Sequence, residues 1–520
     1  MSIELLKENI DYEQRIGQNT SDTVVKEEYI IPDTQPDVKE ILTVDAKTNI
    51  LNTDIMQDKV YVEGNIEFNV LYLGRGDETN AVCGVTYTSK FTNYVDIIGC
   101  EHDMRCAAKA YVEHMECNIV NERKISVEGI VKLEAEINKP CKIDMVSDVL
   151  GIGEIQFLKK QTKLDKIIGK SSIDLIAKSN MLVPMDKPQV DEILKFNINV
   201  HKKQVKVLEG KVQVEAFAYV DVLYRDKGSV DINSISDDVL ITGEGKIDEA
   251  DPSLDYEANF GVDASEISLK EDDLGEKRII SIDALVKCDM KLIKKEEMNI
   301  VDDAYSPQTN LKLQKQDYDV NMLFDHVFSE TMAKENIEIS EEDPVPVDTI
   351  MANGKAIVTD KKIVENKVVI DGVVNANVVY KTSDAEKYVY AVNEEVPFNS
   401  TIDVPGAKID MICNADAYIE NIEATVEAGT ISVKAIVDLD VKVSYNEHKE
   451  FIVDVLALEG EMPKKKASIT IYIVQKGDSL WKIAKRYCTT VENIIKANKL
   501  DNPDELPIGD KLLIPGRIVI

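Results

Sequence analysis

Aromatic side chains, histidine and tryptophan are scarce in this chain: 6% aromatics, five His and a single Trp in 520 residues. With few rings, any core must be mainly aliphatic. The abundant Val and Ile suit the pleated surface of a sheet. With few imidazoles, general-base chemistry has few candidates, and His201, His326 and His448 are isolated along the chain. No nucleophile motif, phosphate-binding loop or paired-carboxylate signature stands out, so an enzyme is not expected. No apolar run reaches the ~18 residues of a membrane-spanning helix. The opening MSIELLKENIDYEQR lacks the basic-then-apolar pattern of a secretory leader, and neither end carries a lipidation motif. The expected compartment is therefore the cytoplasm.

The eight cysteines include no Cys-x-x-Cys pair and lie mostly beside apolar residues, as expected of free thiols in a reducing compartment. Cys100, His102, Cys106, His114 and Cys117 are of the right type for zinc. Their spacing matches no metal pattern and the later parts of the chain do not repeat it. The expectation is no metal and no cofactor.

The charge balance is lopsided. Residues 461–520 hold 11 Lys/Arg against 7 Asp/Glu, a balance of +4, so the first 460 residues carry −38 of the chain's net −34. Such a body repels nucleic acid and anionic lipid. It serves solubility, or docks a basic partner.

What the chain has in abundance is self-similarity. IPDTQPDVKEIL (Ile31–Leu42) and VPMDKPQVDEIL (Val183–Leu194) align at an offset of 152. The same offset aligns VYVEGNIEFNVLY, ending at Tyr72, with VQVEAFAYVDVLY, ending at Tyr224. A weaker third copy has EDPVPVDTIM and then VVIDGVVNANVVY, ending at Tyr380. Ser126, Ser281 and Ser432 mark matching second halves. Within each copy apolar and polar residues alternate, as in half-buried strands, and turn signals recur every ten residues or so. The spacing predicts an antiparallel sandwich or barrel. The Pro-x-x-x-Pro entry predicts one helical turn ahead of the Ile-Leu pair. The second half of copy 1 predicts two strands joined at Asn121–Glu122. Gly64, Ala216 and Gly372, small and in register, predict a bulge or close sheet contact. The repeated Tyr72, Tyr224 and Tyr380 read as buried rings with tethered hydroxyls. The copies share packing and turn residues, not chemistry-bearing ones, which favours an assembly role.

After the basic segment EMPKKKAS comes a different module. Ile471 to Val474 reads as a strand, with a turn at Gly477 and an N-cap at Asp478 or Ser479. The stripe Leu480, Ile483, Ala484 and Tyr487 predicts a first helix. A second starts at Thr490, and KLLIP (Lys511–Pro515) closes as a strand. The fold class expected is mainly β: three tandem antiparallel β-sandwich or barrel-like repeats at 1–150, 151–308 and 309–460, a basic linker at 461–469, and a small β-α-α-β domain at 470–516.

The module resembles the LysM family. Tyr472, Val474, Gly477, Asp478, Ser479, Leu480, Trp481, Ile483, Ala484 and Tyr487 match one half of its pattern; Asn498, Leu500, Asn502, Pro503, Leu506, Gly509, Leu512, Ile514 and Pro515 match the other. The resemblance implies a shallow groove for N-acetylglucosamine polymers, with Gly477, Asp478, Ser479 and Leu480 facing Asn502, Pro503, Asp504, Leu506 and Ile508. Cys488 departs from the family's Gly, and a left-handed cap there would be strained. Trp481 lies beside the groove and off the apolar stripe. It is either packed against the core or an interface anchor. The repeats resemble SPOCS (DUF3794) domains. Tandem SPOCS domains followed by LysM are similar to the SipL/SpoVID-like spore coat morphogenetic family. That resemblance implies a non-enzymatic scaffold in the mother-cell cytoplasm, on the forespore surface. It implies other coat proteins as partners, and LysM docking a SpoIVA-like coat ATPase. Peptidoglycan binding is the competing expectation.

Overall fold

Alternating apolar residues make the strands, and the computed structural model describes residues 4–76, 80–150, 155–340, 343–384, 386–458, 468–500, 502 and 506–516. The first repeat holds β1 (Glu4–Ile30), β2 (Val38–Met56), β3 (Lys59–Gly74), β4 (Ala81–Asp96), β5 (Arg105–Asn121) and β6 (Lys124–Leu150). They form two antiparallel sheets, β2-β3-β4 and β1-β6-β5. The second repeat follows with β7 (Gln156–Leu182), β8 (Val190–Leu208), β9 (Lys211–Asp226), β10 (Ile232–Lys246), β11 (Asp255–Glu271) and β12 (Lys277–Tyr305). The third has β13 (Asn310–Ile337), β14 (Pro346–Val364), β15 (Lys367–Thr382), β16 (Val389–Asp403), β17 (Ile412–Glu427) and β18 (Thr430–Leu458). Both repeat the two-sheet order of the first, as β8-β9-β10 with β7-β12-β11 and β14-β15-β16 with β13-β18-β17. The inner faces pack Val62, Ile66 and Phe68 of β3 against Val127, Val131 and Leu133 of β6, a sandwich with an aliphatic interior.

Tyr72, Tyr224 and Tyr380 are buried in these interiors. The Tyr72 and Tyr380 hydroxyls donate to the carbonyls of Pro36 (3.1 Å) and Pro344 (3.3 Å), so Pro and Tyr form the expected tether in repeats 1 and 3. The helical turn expected before Ile41 and Leu42 is absent. A turn at 33–35 leads straight into β2, whose ladder slips at Val38/Glu40 and again at Ile41/Thr43. Two bulges explain why these apolar neighbours do not alternate. The second-half hairpin turns at Glu122–Arg123, one residue later than expected.

Each long strand pair is broken near its middle, where the ladders slip at Arg15/Gly17, at Leu292/Ile293 and at Leu323/Asp325, and again near its outer end. Below the middle slip the strands belong to their sandwich. Beyond it they run out as arms that meet the arms of the other two repeats. Ile10 and Ile143, Leu164 and Ile300, and Met322 and Phe451 form one shared cluster, and Val149, Val301 and Ile452 lie in another. A third common cluster joins Leu71, Leu223 and Val379 at the other sheets. The three repeats therefore pack about a common pseudo-threefold axis.

Polar groups also cross that axis. The Lys195 ammonium, 5% exposed, pairs with Asp45 of repeat 1 and donates to Asn377 of repeat 3 at 3.4 Å. Tyr388 of repeat 3 accepts from the Val82 amide of repeat 1 (3.2 Å) and donates to the Val230 carbonyl of repeat 2 (2.6 Å). Where β4 meets β8, Gly84 lies so close to the Leu194 backbone that a Cβ would collide with its carbonyl oxygen.

Two outcomes test this junction. Gly84→Val is expected to lower stability by about 1–3 kcal/mol through overpacking against backbone that cannot move away. Calorimetry on the full chain, with Gly261→Val on the exposed face of β11, where a Cβ meets nothing, as control, measures it. Asp221 shares the Lys195 junction, and burial raises its carboxyl to about 6 despite Lys195. A raised carboxyl adds stability below its unfolded value of about 4 and loses it as pH climbs through the folded value. Asp221→Asn is therefore expected to raise the melting temperature at pH 7.5 and to give no gain near pH 4; melting curves across that range decide it.

Candidate functional site

The C-terminal module is built from β19 (Ile469–Ile473), α1 (Leu480–Arg486), α2 (Val491–Asn498) and β20 (Lys511–Pro515), with β19 antiparallel to β20. Its core is Tyr472, Val474, Leu480, Ile483, Ala484, Ile494, Leu512 and Ile514. Ser479 caps α1, its hydroxyl accepting from the Lys482 amide at 3.3 Å, and Thr490 caps α2 in the same way. Asp478 does not cap. Its carboxylate accepts from the Tyr472 hydroxyl (2.7 Å) and the Gln475 amide (2.8 Å). Those donors hold it below the usual carboxylate range. Gly477 turns the loop at φ +86°, a conformation that favours glycine. Cys488 takes the strained left-handed position, φ +48°, where the LysM pattern has Gly.

The expected groove residues fall on both sides of the first strand's end. Gly477 and Ser479 are exposed and Leu480 is core. Across from them, Leu506 packs partly on the core, Asn502 is exposed, and Ile508 is 69% exposed. The second loop is tied to the first strand by the Gly509 amide on the Val474 carbonyl (2.9 Å) and the Val474 amide on that of Asp510 (2.9 Å). Pro503 and Asp504, and most of the basic linker, lie outside the described residues. On the far face of the small sheet Ile469, Ile471 and Ile473 are all more than half exposed, with Leu513 beside them.

Trp481 points elsewhere. Its indole N–H donates to the Asp303 carboxylate at 2.8 Å, and its ring meets Tyr305 edge-on at 4.9 Å. Lys485 of the same helix grips both oxygens of Asp303 at 2.6 and 2.7 Å. The Tyr305 hydroxyl donates to the Thr489 carbonyl at 2.9 Å, and its ring sits in the module's core. Burial lifts its phenol above the ordinary range. The end of β12 thus holds the module by one carboxylate and one ring. Asp148, Asp303 and Asp454 occupy equivalent bulges, and each accepts from the next amide at 2.8–2.9 Å. Tyr305 stands where the other copies have Leu150 and Leu456. Neither Asp303 nor Tyr305 was expected from the sequence. Comparing the ends of the three copies, where one Tyr replaces two Leu, would have flagged the second.

The Cys/His cluster of repeat 1 is dispersed. The Cys100 thiol donates to the Met56 carbonyl at 3.2 Å, and His114 pairs with Glu116. Burial pushes Cys106 to about 11 and Cys117 to about 12, as for thiols packed against apolar neighbours. Among the described residues the one trio of metal-type donors is Glu330, Glu420 and Asp438.

Comparison with known families places names on these parts. The profile described as SipL, SPOCS domain matches residues 37–120, 189–270 and 346–427, once in each repeat. The LysM domain profile matches residues 472–515. SpoIVD-associated factor A of Bacillus subtilis (strain 168) is 54% identical over 46 residues, 9% of this chain and 12% of that protein. Spore coat assembly protein ExsA of Bacillus cereus is 48% identical over 50 residues, 9% and 8%. A cortical fragment-lytic enzyme of Bacillus subtilis (strain 168) is 44% identical over 45 residues, 9% and 10%. The chain therefore spans only about a tenth of the length of these relatives. No solved structure matches it.

The chain's single tryptophan makes the clamp easy to read. Asp303→Ala and Tyr305→Leu are each expected to shift Trp481 emission to longer wavelength and raise its quenching by acrylamide. Each loses contacts worth about 1–3 kcal/mol. Unchanged spectra would mean that α1 does not rest on β12 in solution.

Proposed function

From its three SPOCS domains and one LysM domain, the architecture of the SipL-like family to which the chain belongs, we propose that it is a non-enzymatic scaffold of the spore coat. In this reading it gathers on the forespore surface, on the mother-cell side, and recruits coat proteins. LysM docks a SpoIVA-like coat ATPase. The observation that carries it is the pairing of coat-type domains with a LysM whose apolar positions face outward. Ile469, Ile471 and Ile473 leave a sheet face uncovered, and Ile508 leaves the groove lip uncovered. Apolar side chains at that exposure mark a protein interface. The coat-related names of two relatives support the same setting. The acidic repeats keep the body soluble while the basic module meets the partner.

A second reading has one observation in its favour. The clamp on Asp303 leaves Gly477, Ser479 and Ile508 open, so the groove remains free to take N-acetylglucosamine polymers. The match to a cortical fragment-lytic enzyme belongs with this reading.

Titrating the full chain with a SpoIVA-like ATPase and, separately, with chitotetraose distinguishes the two. The scaffold reading expects ATPase binding without sugar binding. Ile508→Glu or Ile471→Glu should weaken that binding by about tenfold or more, that is ~1.4 kcal/mol, with the melting temperature unchanged. Micromolar chitotetraose binding without the ATPase would favour the glycan reading.

A further inference from the structure

Repeat 2 departs from its neighbours at one small residue. In repeats 1 and 3 the mid-strand positions are Gly64 and Gly372. A Cβ there would run into the Phe91 and Phe398 rings and come within 2.6 Å of the Asn49 and Ile357 carbonyl oxygens. Repeat 2 has Ala216 at this position, opposite Ile241. The β8–β9 ladder slips here, from His201–Phe217 to Gln204–Glu215, as its counterparts slip at Ile50/Asn52 and Val358/Asp360, but only in repeat 2 does the slipped strand take a left-handed residue, Lys202 at φ +49°. A bulge of this kind re-aims side chains.

The sandwich of repeat 2 is less tied beside this point. In repeat 1 the Thr48 hydroxyl ties β2 to the Ala110 carbonyl of β5 at 2.7 Å, and in repeat 3 Thr349 ties β14 to Ala424 of β17 at 2.8 Å. Among the described residues no side-chain hydrogen bond joins β8 to β11. Instead Asn199 of β8 donates across to the Ile419 carbonyl of β17, in repeat 3. Between β8, β11 and repeat 3 lies a cleft of about 330 Å³.

Its lining combines three chemistries. Tyr256, Phe260, Phe328 and Tyr418 supply apolar ring faces, Phe328 being 60% exposed. Lys203, turned in by the bulge, places its amine 3.2 Å from the centre of the Tyr418 ring and 5.5 Å from that of Phe260. It makes no hydrogen bond or ion pair with any described residue. On the other wall Glu330, Glu420 and Asp438 bring carboxylate oxygens within 4.8 Å of one another. Lys202 reaches Glu420 at 3.8 Å, and neither Glu330 nor Asp438 forms an ion pair with a described residue. Burial pushes the Lys203 amine down to about 8 and, with Glu420 and Glu330 beside it, raises the Asp438 carboxyl. Lys203 and Asp438 attract each other across the cleft without closing into an ion pair, and Asp440 and Asp416 add to the acidic field at the amine.

A small zwitterion with an apolar side chain complements that arrangement. We propose that the cleft between repeats 2 and 3 binds a free apolar α-amino acid, its carboxylate on Lys203, its ammonium on Asp438 and Glu330, and its side chain against the rings of Phe328, Phe260 and Tyr418. The site is remote from LysM and does not depend on the coat reading.

Calorimetric titration of the full chain with L-phenylalanine and L-leucine tests it, against 3-phenylpropionate and phenethylamine, which each lack one charge. Saturable binding of an amino acid is expected, with each half-ligand about tenfold weaker or worse. Lys203→Met, Asp438→Asn and the exposed Phe328→Ala should each cause a comparable loss, the last with an unchanged melting temperature. No saturable binding at about 10 mM of either amino acid overturns the proposal. So does phenethylamine binding as well as L-phenylalanine, which would make the cleft a reader of cations alone. Binding indifferent to Phe328→Ala would place the ligand elsewhere and overturns it too.

Discussion

One buried ammonium serves three repeats. Lys195 belongs to the second, finds its counter-charge on Asp45 of the first and a carbonyl oxygen on Asn377 of the third. Taken alone, the second repeat would leave this cation exposed or unpaired. Buried ion pairs add little net stability, because desolvation offsets attraction, but losing one partner is costly. The contact therefore acts on arrangement more than on energy: it is satisfied only when the repeats close in this order. Around it, Thr43 and Asn393 share the Asn377 amide, and Arg225 reaches the Val82 carbonyl at 3.0 Å. The energy comes from the surrounding aliphatic clusters, which collect residues from all three copies.

Repeats of one fold packed about an axis need not be equal. Lys195 stands where repeat 1 has Thr43, and Asp221 where repeat 1 has Asn69 and repeat 3 has Asn377. A strictly symmetric junction would bring three like charges together, so the departures from symmetry are what make the closed ring possible. The Ala216 substitution is another such departure. At the equivalent point its neighbours use a glycine beneath a phenylalanine ring, with no room for a Cβ. Opposite the methyl, Lys202 takes a left-handed backbone and Lys203 turns its amine onto the Tyr418 ring. The copy that carries this side chain is also the one in which, among the described residues, no side-chain hydrogen bond ties β8 to β11.

Much of this fold is legible in the sequence, because a period of two and an offset of 152 residues are local signals. They give the strands, the copy number and the small-residue positions. The LysM helices follow from Ser479, Thr490 and an apolar stripe, and even the strained Cys488 is foreseeable from its missing glycine. The ring is not legible. Its contacts join residues hundreds of positions apart, and the residues that make it, such as Lys195 and Tyr388, look like ordinary members of their strands. The extra bulges of β2 are hidden for a similar reason: a slipped ladder leaves two apolar neighbours, which read as a helical turn. Trp481 was legible as an anchor, but its partner was not. The signal lay in Tyr305, at the frayed-looking end of a strand.

That clamp bears on what a LysM domain can do when attached to such a body. The module carries +4 and the preceding repeats −38, so attraction alone would hold it loosely and non-specifically. Asp303 converts that attraction into a defined pose. One carboxylate takes the indole N–H and both contacts of Lys485, while Tyr305 fills the module's own core. The side of α1 that bears Trp481 is thereby used up inside the chain. What stays outward is the groove lip and the isoleucine face of β19, and these are fixed relative to the ring by the same contact. A partner that recognises them meets an oriented surface and loses little entropy of tethering on binding. The tryptophan, which sequence alone would offer to a partner, serves instead to fix the groove lip and the isoleucine face relative to the ring.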